Sequence, residues 1–156
     1  MSAAAEGTRV STIIHAPRAR VYQAFLDPEA VAAWMAPDTM RLHIHAFDPR
    51  AGGQFRISLQ YPQPEDAGRG KTTGDTDTYH GRFVELIPNE KIVEAIEFET
   101  SDPGFVGEMT MTVTLAEVAD VTEITLLYEN VPAGIRPEDN EAGTRSSLQK
   151  LAALVE

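Results

Sequence analysis

The chain has 156 residues, of which 42% are hydrophobic and 24% are charged, as expected for one soluble globular domain spanning residues 1–156. A formal net charge of −11 repels phosphate backbones and anionic lipid, so we expect neither nucleic acid nor a membrane surface as a partner. The absence of cysteine excludes disulfides and thiolate metal sites. Because residues 1–10 lack the basic and apolar regions of a signal peptide, we predict a cytoplasmic protein. We expect residues 1–7 to be flexible.

A strand followed by two short helices is predicted at the N-terminus. Residues 8–14 are rich in β-branched types, which favours a strand. Pro17 suits the first turn of a helix, and residues 18–26 carry apolar side chains on one helical face. Asp27 as N-cap and Pro28 at the first position then predict a second short helix. The apolar stripe of this second helix has helical spacing, at Val31, Trp34 and Met35.

From residue 40 to residue 130 the apolar residues alternate with polar ones, which predicts strands. Gly52 and Gly53 indicate a turn or bulge that needs positive φ, and residues 62–77 form a long polar loop. We predict six strands here, at residues 40–47, 54–61, 78–87, 91–99, 108–115 and 122–130. The C-terminal segment predicts one long helix whose stripe is Thr144, Leu148, Leu151, Ala152 and Val155.

This element order favours an α+β fold in which an antiparallel sheet of about seven strands curves around the long C-terminal helix. The sheet has one apolar face to cover, and the chain offers one long helix to cover it. Side chains on the inward parity are bulky, and a few are polar. Two interpretations stay open, a close-packed core and a ligand cavity. The inward set includes Phe55, Tyr61, Glu94, Ile96, Phe98, Met109, Met111 and Tyr128.

Four ordered segments resemble a known family. They are IIHAPRARVYQAFLDPEAVAAWMAP, FDPRAGGQFRI, YHGRFVELIPNEKIVEAIEF and EAGTRSSLQKLAALVE. Together they span about residues 8–156 and resemble the bacterial Hsp90-ATPase-activator-homologue family of the START/Bet v 1-like helix-grip superfamily. The resemblance implies a seven-stranded sheet gripping the C-terminal helix over a cavity. It also implies that the two small helices and the loop at 62–77 guard the cavity mouth.

What the resemblance implies about function is the binding of a hydrophobic or amphipathic small molecule, without a cofactor. Some relatives catalyse cyclisation or hydrolysis, and many have no known activity. The sequence departs from the family pattern where Thr144 replaces a usual Trp and Glu94 replaces a usual aromatic residue, which makes the pocket roomier or more polar. We predict these ligand-binding residues: Trp34, Met35, Phe55, Tyr61, Glu94, Ile96, Phe98, Met109, Met111, Tyr128, Thr144 and Leu148.

Two motifs suggest other sites, and simpler interpretations are favoured for both. His43 and His45 point to one side of a strand and could chelate a metal, but a third ligand is missing and Asp48 has the opposite parity. We therefore expect a solvated histidine pair and no metal site. The sequence GRGKTTGD at 68–75 suggests a phosphate-binding loop, but the position of the first required glycine is Glu65, no buried strand precedes the motif and no helix follows it.

Glu94 is the candidate catalytic residue. A carboxylate among apolar neighbours has its pKa raised by desolvation, as a general base or a ligand anchor requires. The structural alternatives are an ion pair with Arg56 or Arg82, or exposure at a strand end. For Trp34 and Met35 the alternatives are a place over the cavity entrance or a role in fastening the small helices to the sheet.

Three functions follow as hypotheses. The first is a binding protein for a hydrophobic or amphipathic molecule. The second is an enzyme that uses the same cavity for acid–base chemistry on a carbonyl compound, which requires Glu94 or a histidine inside the pocket with polar partners. The third, a co-chaperone-like interaction, is disfavoured because the chain has no residues for a further domain. A homodimer through a sheet edge or the small helices is also open.

Overall fold

The computed structural model describes residues 8–36, 40–61 and 76–156. It has seven strands and three helices in these ranges, and the predicted α+β helix-grip architecture is confirmed. The elements are β1 (Thr8–Ile14), α1 (Arg18–Leu26), α2 (Pro28–Trp34), β2 (Arg41–Phe47), β3 (Gln54–Gln60), β4 (Thr76–Ile87), β5 (Lys91–Phe98), β6 (Glu108–Val118), β7 (Val121–Glu129) and α3 (Pro137–Val155).

The strands form one antiparallel sheet in the order β1-β7-β6-β5-β4-β3-β2. Strands β2 to β7 are a meander, in which each strand pairs with the next along the chain. Strand β1 joins the far side of β7, so β1 and β2 form the two edges. Helix α3 packs on the apolar face, where Leu148 and Leu151 are buried with the core of the sheet.

The burial pattern of β6 follows the strict alternation of apolar and polar residues in its sequence. Met109, Met111, Val113 and Leu115 are buried, while the threonines between them are more exposed. The strand continues to Val118, beyond the predicted end at 115, because it forms a tight hairpin with β7.

The two residues of that hairpin turn, Ala119 and Asp120, have φ values of 50° and 70°. Positive φ at both central positions is the type I′ geometry, whose twist matches that of the flanking strands.

The predicted glycine turn between β2 and β3 is confirmed. Gly52 has a φ of 85°, and its N–H donates to the Phe83 carbonyl at 2.7 Å. Phe83 in turn donates its N–H to the Gly53 carbonyl at 2.9 Å. A Cβ on Gly53 would collide with the Asp48 carbonyl oxygen, so only glycine fits there. The turn is thus bonded directly to β4.

The predicted end of the loop at residue 77 is wrong, because β4 begins at Thr76 and includes Asp77. Asp77 is buried and pairs with Leu59 of β3, so its backbone is part of the sheet. The remainder of that loop, with its suggested role at the cavity mouth and the GRGKTTGD motif, lies outside the described residues. The same holds for the expected flexibility of residues 1–7.

The small helices are held by specific hydrogen bonds. Asp27 caps α2 by accepting the Glu29 N–H at 3.0 Å, as predicted. The Trp34 indole donates to the Ala24 carbonyl at 2.9 Å and packs edge-to-face on Phe25 at a centroid distance of 4.7 Å. This bond joins the two helices where Pro28 has no N–H to offer the Ala24 carbonyl.

The end of α2 is fastened to α3. Ser147 donates its hydroxyl to the Met35 carbonyl at 2.7 Å, and Lys150 donates its ammonium group to the Ala36 carbonyl at 2.7 Å. Carbonyls at a helix C-terminus have no partner within the helix, so side chains of α3 satisfy them here. The position of Trp34 and Met35 is therefore set by α3.

Candidate functional site: a cavity between the sheet and the C-terminal helix

A cavity of about 610 Å³ lies between the sheet and α3, with α2 at one side. All the predicted ligand-binding residues except Phe55 line it. Those that line it are Trp34, Met35, Tyr61, Glu94, Ile96, Phe98, Met109, Met111, Tyr128, Thr144 and Leu148. The sequence left two interpretations of the inward side chains open, a close-packed core and a cavity, and the structure contains a cavity. Trp34 and Met35 belong to its wall and also fasten the small helices.

Phe55 is on the predicted face of the sheet but not at the cavity. Its ring lies at centroid distances of 5.3 Å from Phe83 and 6.3 Å from Tyr79, and it is almost fully buried. A Cβ on Gly81 would come within 2.6 Å of this ring, which shows how closely the ring packs on β4. Phe55 is thus a packing residue at this end of the sheet, where the interior is filled.

Several lining residues are absent from the set predicted from the sequence, and three polar ones among them are Asp77, Asn140 and Ser147. Asp77 precedes Tyr79 by two residues and therefore shares its face of β4, but it lies within the loop predicted at 62–77. Asn140 precedes Thr144 by four residues, so helical spacing could have identified it. Its amide nitrogen is buried and has no hydrogen-bond partner within the part of the chain that the structure describes.

Glu94 lies in the cavity wall with its side chain buried; only 6% of the residue is exposed. Neither predicted partner reaches it. Arg56 forms a bidentate ion pair with Glu99 at 2.8 and 2.9 Å, and Arg82 pairs with Glu108 at 2.8 Å. Across residues 8–36, 40–61 and 76–156, no hydrogen bond or ion pair to the Glu94 carboxylate is present. Desolvation raises the pKa of Glu94 to about 8.

Tyr79 and Tyr128 line the cavity together with Glu94, as does Tyr61. The Tyr128 hydroxyl accepts a hydrogen bond from the Thr144 hydroxyl at 3.1 Å, which leaves its own O–H free to donate. Burial, and less strongly the charge of Glu94, raise the pKa of Tyr128 to about 12 against the opposing effect of the Thr144 bond. Burial also raises the pKa of Tyr79, with smaller contributions from Glu94 and Tyr128. Both phenols therefore stay protonated and serve as hydrogen-bonding groups.

The histidine pair of β2 is away from this cavity. His43 and His45 are exposed, and His45 Nε2 lies 2.8 Å from the Ser58 hydroxyl. Within the described ranges, no three His, Asp or Glu side chains group closely enough to hold a metal ion.

None of the described helices combines the length and the apolar character needed to cross a membrane.

A curved antiparallel sheet closed by a C-terminal helix over a cavity defines a helix-grip protein of the START/Bet v 1-like class. The model of the family described as Activator of Hsp90 ATPase homolog 1-like protein matches residues 15–156. The chain belongs to this family, and the resemblance drawn from its sequence is confirmed.

Solved structures share the fold. A crystal structure of a protein from Chromobacterium violaceum is 33% identical, with a TM-score of 0.84 and 97% of each chain covered. A solution structure from Staphylococcus epidermidis is 20% identical with a TM-score of 0.76, covering 96% of this chain and 89% of that one. A Mycobacterium smegmatis protein is 16% identical with a TM-score of 0.74, covering 95% and 89%. No curated protein matches the chain in sequence.

Proposed function

We propose that this protein binds a small amphipathic molecule in the cavity between the sheet and α3. The observation that carries the proposal is a cavity of about 610 Å³ whose wall is mostly apolar but includes the buried, unpartnered carboxyl of Glu94. Small-molecule sites have this form, with an apolar lining and few polar groups that orient the ligand, and volumes of roughly 300–1,000 Å³.

The nature of the wall supports an amphipathic ligand. Met35, Met109 and Met111 are flexible and polarisable, so they adapt to ligands of irregular shape. The polar groups of Glu94 and Tyr128 face the same space and provide a place for one polar end. A fully apolar molecule would leave these groups without water and without partners, which is unfavourable.

The test uses the fluorescence of the neutral probe N-phenylnaphthylamine, which increases in apolar surroundings. Wild-type protein should enhance it with saturation. Thr144→Trp places a large ring into the cavity and should weaken probe binding by about tenfold or more, equivalent to about 1.4 kcal/mol. Leu154→Trp adds the same ring on the exposed side of α3 and is the matched control. No enhancement by wild type, or equal binding by the two variants, would contradict the proposal.

Native mass spectrometry of freshly purified protein complements this test. A co-purifying small molecule that is released on denaturation would give the mass of a ligand. If a molecule is present, Thr144→Trp should lose it and Leu154→Trp should retain it. Retention by Thr144→Trp would assign the molecule to another site.

One observation favours a second candidate function, acid–base catalysis in the same cavity. General acid–base groups work best when their pKa is near the working pH, and desolvation raises the pKa of Glu94 to about 8. Candidate carbonyl substrates would be screened for turnover by the wild type and by Glu94→Gln. Turnover that survives in Glu94→Gln would reject this role for Glu94.

The remaining expectations stay predictions. A cytoplasmic location rests on the cysteine-free composition. A homodimer would use an edge strand, β1 or β2, or the small helices. A co-chaperone-like interaction would be tested by a pull-down for a chaperone, whose absence would reject it.

A further inference from the structure

We propose that the ligand carries a cationic group, a protonated or quaternary amine on an apolar body, and that the Glu94 carboxylate binds this group. The inference rests on the proposed function and names the chemical class of its ligand. Three features of the cavity support it: an acid without a partner, an excess of negative charge, and a wall of aromatic rings.

The first feature is the isolation of Glu94. An ionised carboxyl that is buried needs a cation or several hydrogen-bond donors, and the described residues supply neither. Arg56 of β3 and Arg82 of β4 form ion pairs with Glu99 and Glu108 instead. The ion-pairing capacity of Glu94 is therefore left for a molecule that enters the cavity.

The second feature is the charge around Glu94. The first turn of α3 contributes a second acid, Asp139, to the same wall. Arg136, which precedes α3, is the cation of the wall among the described residues, and it pairs with Glu138 at 3.3 Å. The facing phenols, from Tyr79 and Tyr128, are neutral.

This excess of acids, on a chain with a net charge of −11, attracts a cationic amphiphile and repels a carboxylate such as a fatty acid.

The third feature is aromatic. Rings of Trp34, Tyr79, Phe98 and Tyr128 line the cavity together with Glu94. The negative face of an aromatic ring attracts a cation, and quaternary ammonium groups are recognised in this way. An acid combined with several rings therefore suits an ammonium group better than a neutral hydroxyl.

The proposal predicts a pH dependence. Burial keeps Glu94 protonated at neutral pH, with a pKa of about 8, so a cation has to displace its proton. Affinity for a permanently charged amphiphile should then rise by up to about tenfold per pH unit below this pKa and level off above it. A neutral amphiphile should bind better at low pH, where Glu94 is uncharged.

The experiment compares decyltrimethylammonium, decanol and decanoate, below their micelle concentrations, as displacers of N-phenylnaphthylamine. We expect the cation to bind more tightly than the alcohol, and the carboxylate to bind most weakly. From about pH 6 to about pH 8 the affinity for the cation should rise by at least about tenfold. Each result in the opposite direction, including a cation affinity that is flat with pH, would overturn the inference.

Glu94→Gln tests the residue itself. It should lose about tenfold or more of the affinity for decyltrimethylammonium, retain that for decanol within about twofold, and abolish the pH dependence. Glu97→Gln is the matched control on the same strand, because Glu97 is half-exposed and lies beside His80. If Glu94→Gln fails to fold, the pH dependence of decyltrimethylammonium binding to the wild type tests the inference by itself.

Decanol or decanoate binding without a preference for the cation would leave the proposed function intact and reject this inference alone. Failure of all three molecules, and of the fluorescent probe, would reject both.

Discussion

Glu94 of β5 and Tyr128 of β7 lie in one row across the sheet, with Met111 of β6 paired to both. Because neighbouring strands are about 4.8 Å apart, the two backbones are separated by about 10 Å. The charge of Glu94 contributes to the raised pKa of Tyr128, so the two side chains interact across the cavity wall. A single row of the sheet thus combines an acid, a thioether and a phenol that a ligand would contact together.

The buried carboxyl of Glu94 predicts that stability falls as pH rises. Its pKa is raised from an ordinary 4.5 to about 8, so between these values the folded state holds a proton that the unfolded state has lost. The contribution is complete below about pH 4.5 and is lost as pH rises through about 8, with a slope of at most about 1.4 kcal/mol per pH unit. Urea unfolding across this range should show the slope in wild type and a flatter profile in Glu94→Gln.

Glu97→Gln makes the same chemical change at a half-exposed carboxyl of the same strand and should retain the wild-type slope. Identical pH profiles for wild type and Glu94→Gln would contradict the assignment of this proton to Glu94.

The β6–β7 turn predicts a stabilising glycine. Ala119 has a φ of 50°, a strained value for a residue with a Cβ, so Ala119→Gly should raise the free energy of unfolding by up to about 1 kcal/mol. Ala116→Gly, at an exposed position of β6 that pairs with Glu123, should instead lower it by roughly 0.5–1 kcal/mol. Thermal or urea unfolding measures both, and equal effects of the two glycines would show that the strain at Ala119 is negligible.

The hydrogen bond from the Trp34 indole to the Ala24 carbonyl predicts that even the conservative substitution Trp34→Phe lowers the stability of the protein. Trp34→Phe keeps an aromatic ring but leaves the Ala24 carbonyl, whose helical partner position is Pro28, without a donor. The loss should be about 1–3 kcal/mol in the free energy of unfolding. Gln23→Ala, an exposed change on α1, should stay within about 0.5 kcal/mol of wild type. A Trp34→Phe variant as stable as Gln23→Ala would mean that the Ala24 carbonyl finds another donor.

The link between α2 and α3 predicts that Ser147 positions one side of the cavity. Ser147→Ala removes the donor to the Met35 carbonyl and should cost about 1 kcal/mol of stability. Because Trp34 and Met35 are held by this link, release of N-phenylnaphthylamine in stopped-flow measurements should become faster. Gln149→Ala, at an exposed position of the same helix, should change neither quantity. Faster release from Gln149→Ala as well would point to a general loosening of α3.

The strands and helices could largely be predicted because their signals are local. Alternation in β6 and the Asp27-Pro28 start of α2 depend on a few neighbouring residues, and both are confirmed. The family resemblance supplied the global arrangement, which local patterns could not.

The site was harder to predict because parity gives the face of a strand but not the depth of the interior behind it. Phe55 and Tyr61 share a face, yet Phe55 packs against Phe83 while Tyr61 lines the cavity. The partners of Arg56 and Arg82 depend on the register between β4 and β5, which shifts between Phe83 and Glu85. Such a shift leaves no signal in the alternation of either strand, so pairing of Glu94 could not be excluded from sequence.

The aromatic contacts of the sheet lead from a closely packed part of the core to the cavity. Rings follow one another edge-to-face from Phe47 through Phe83, Phe55 and Tyr79 to Phe98, with centroid distances of 5.3 to 6.3 Å. Phe47, Phe83 and Phe55 pack with the hydrophobic core at one end of this series, whereas Tyr79 and Phe98 at its other end line the cavity. We therefore expect substitutions at Thr144 to alter the cavity wall while the packing of Phe47, Phe83 and Phe55 is retained. Such an arrangement would let the size and polarity of the cavity wall change while the packed rings at the other end of the sheet stay as they are.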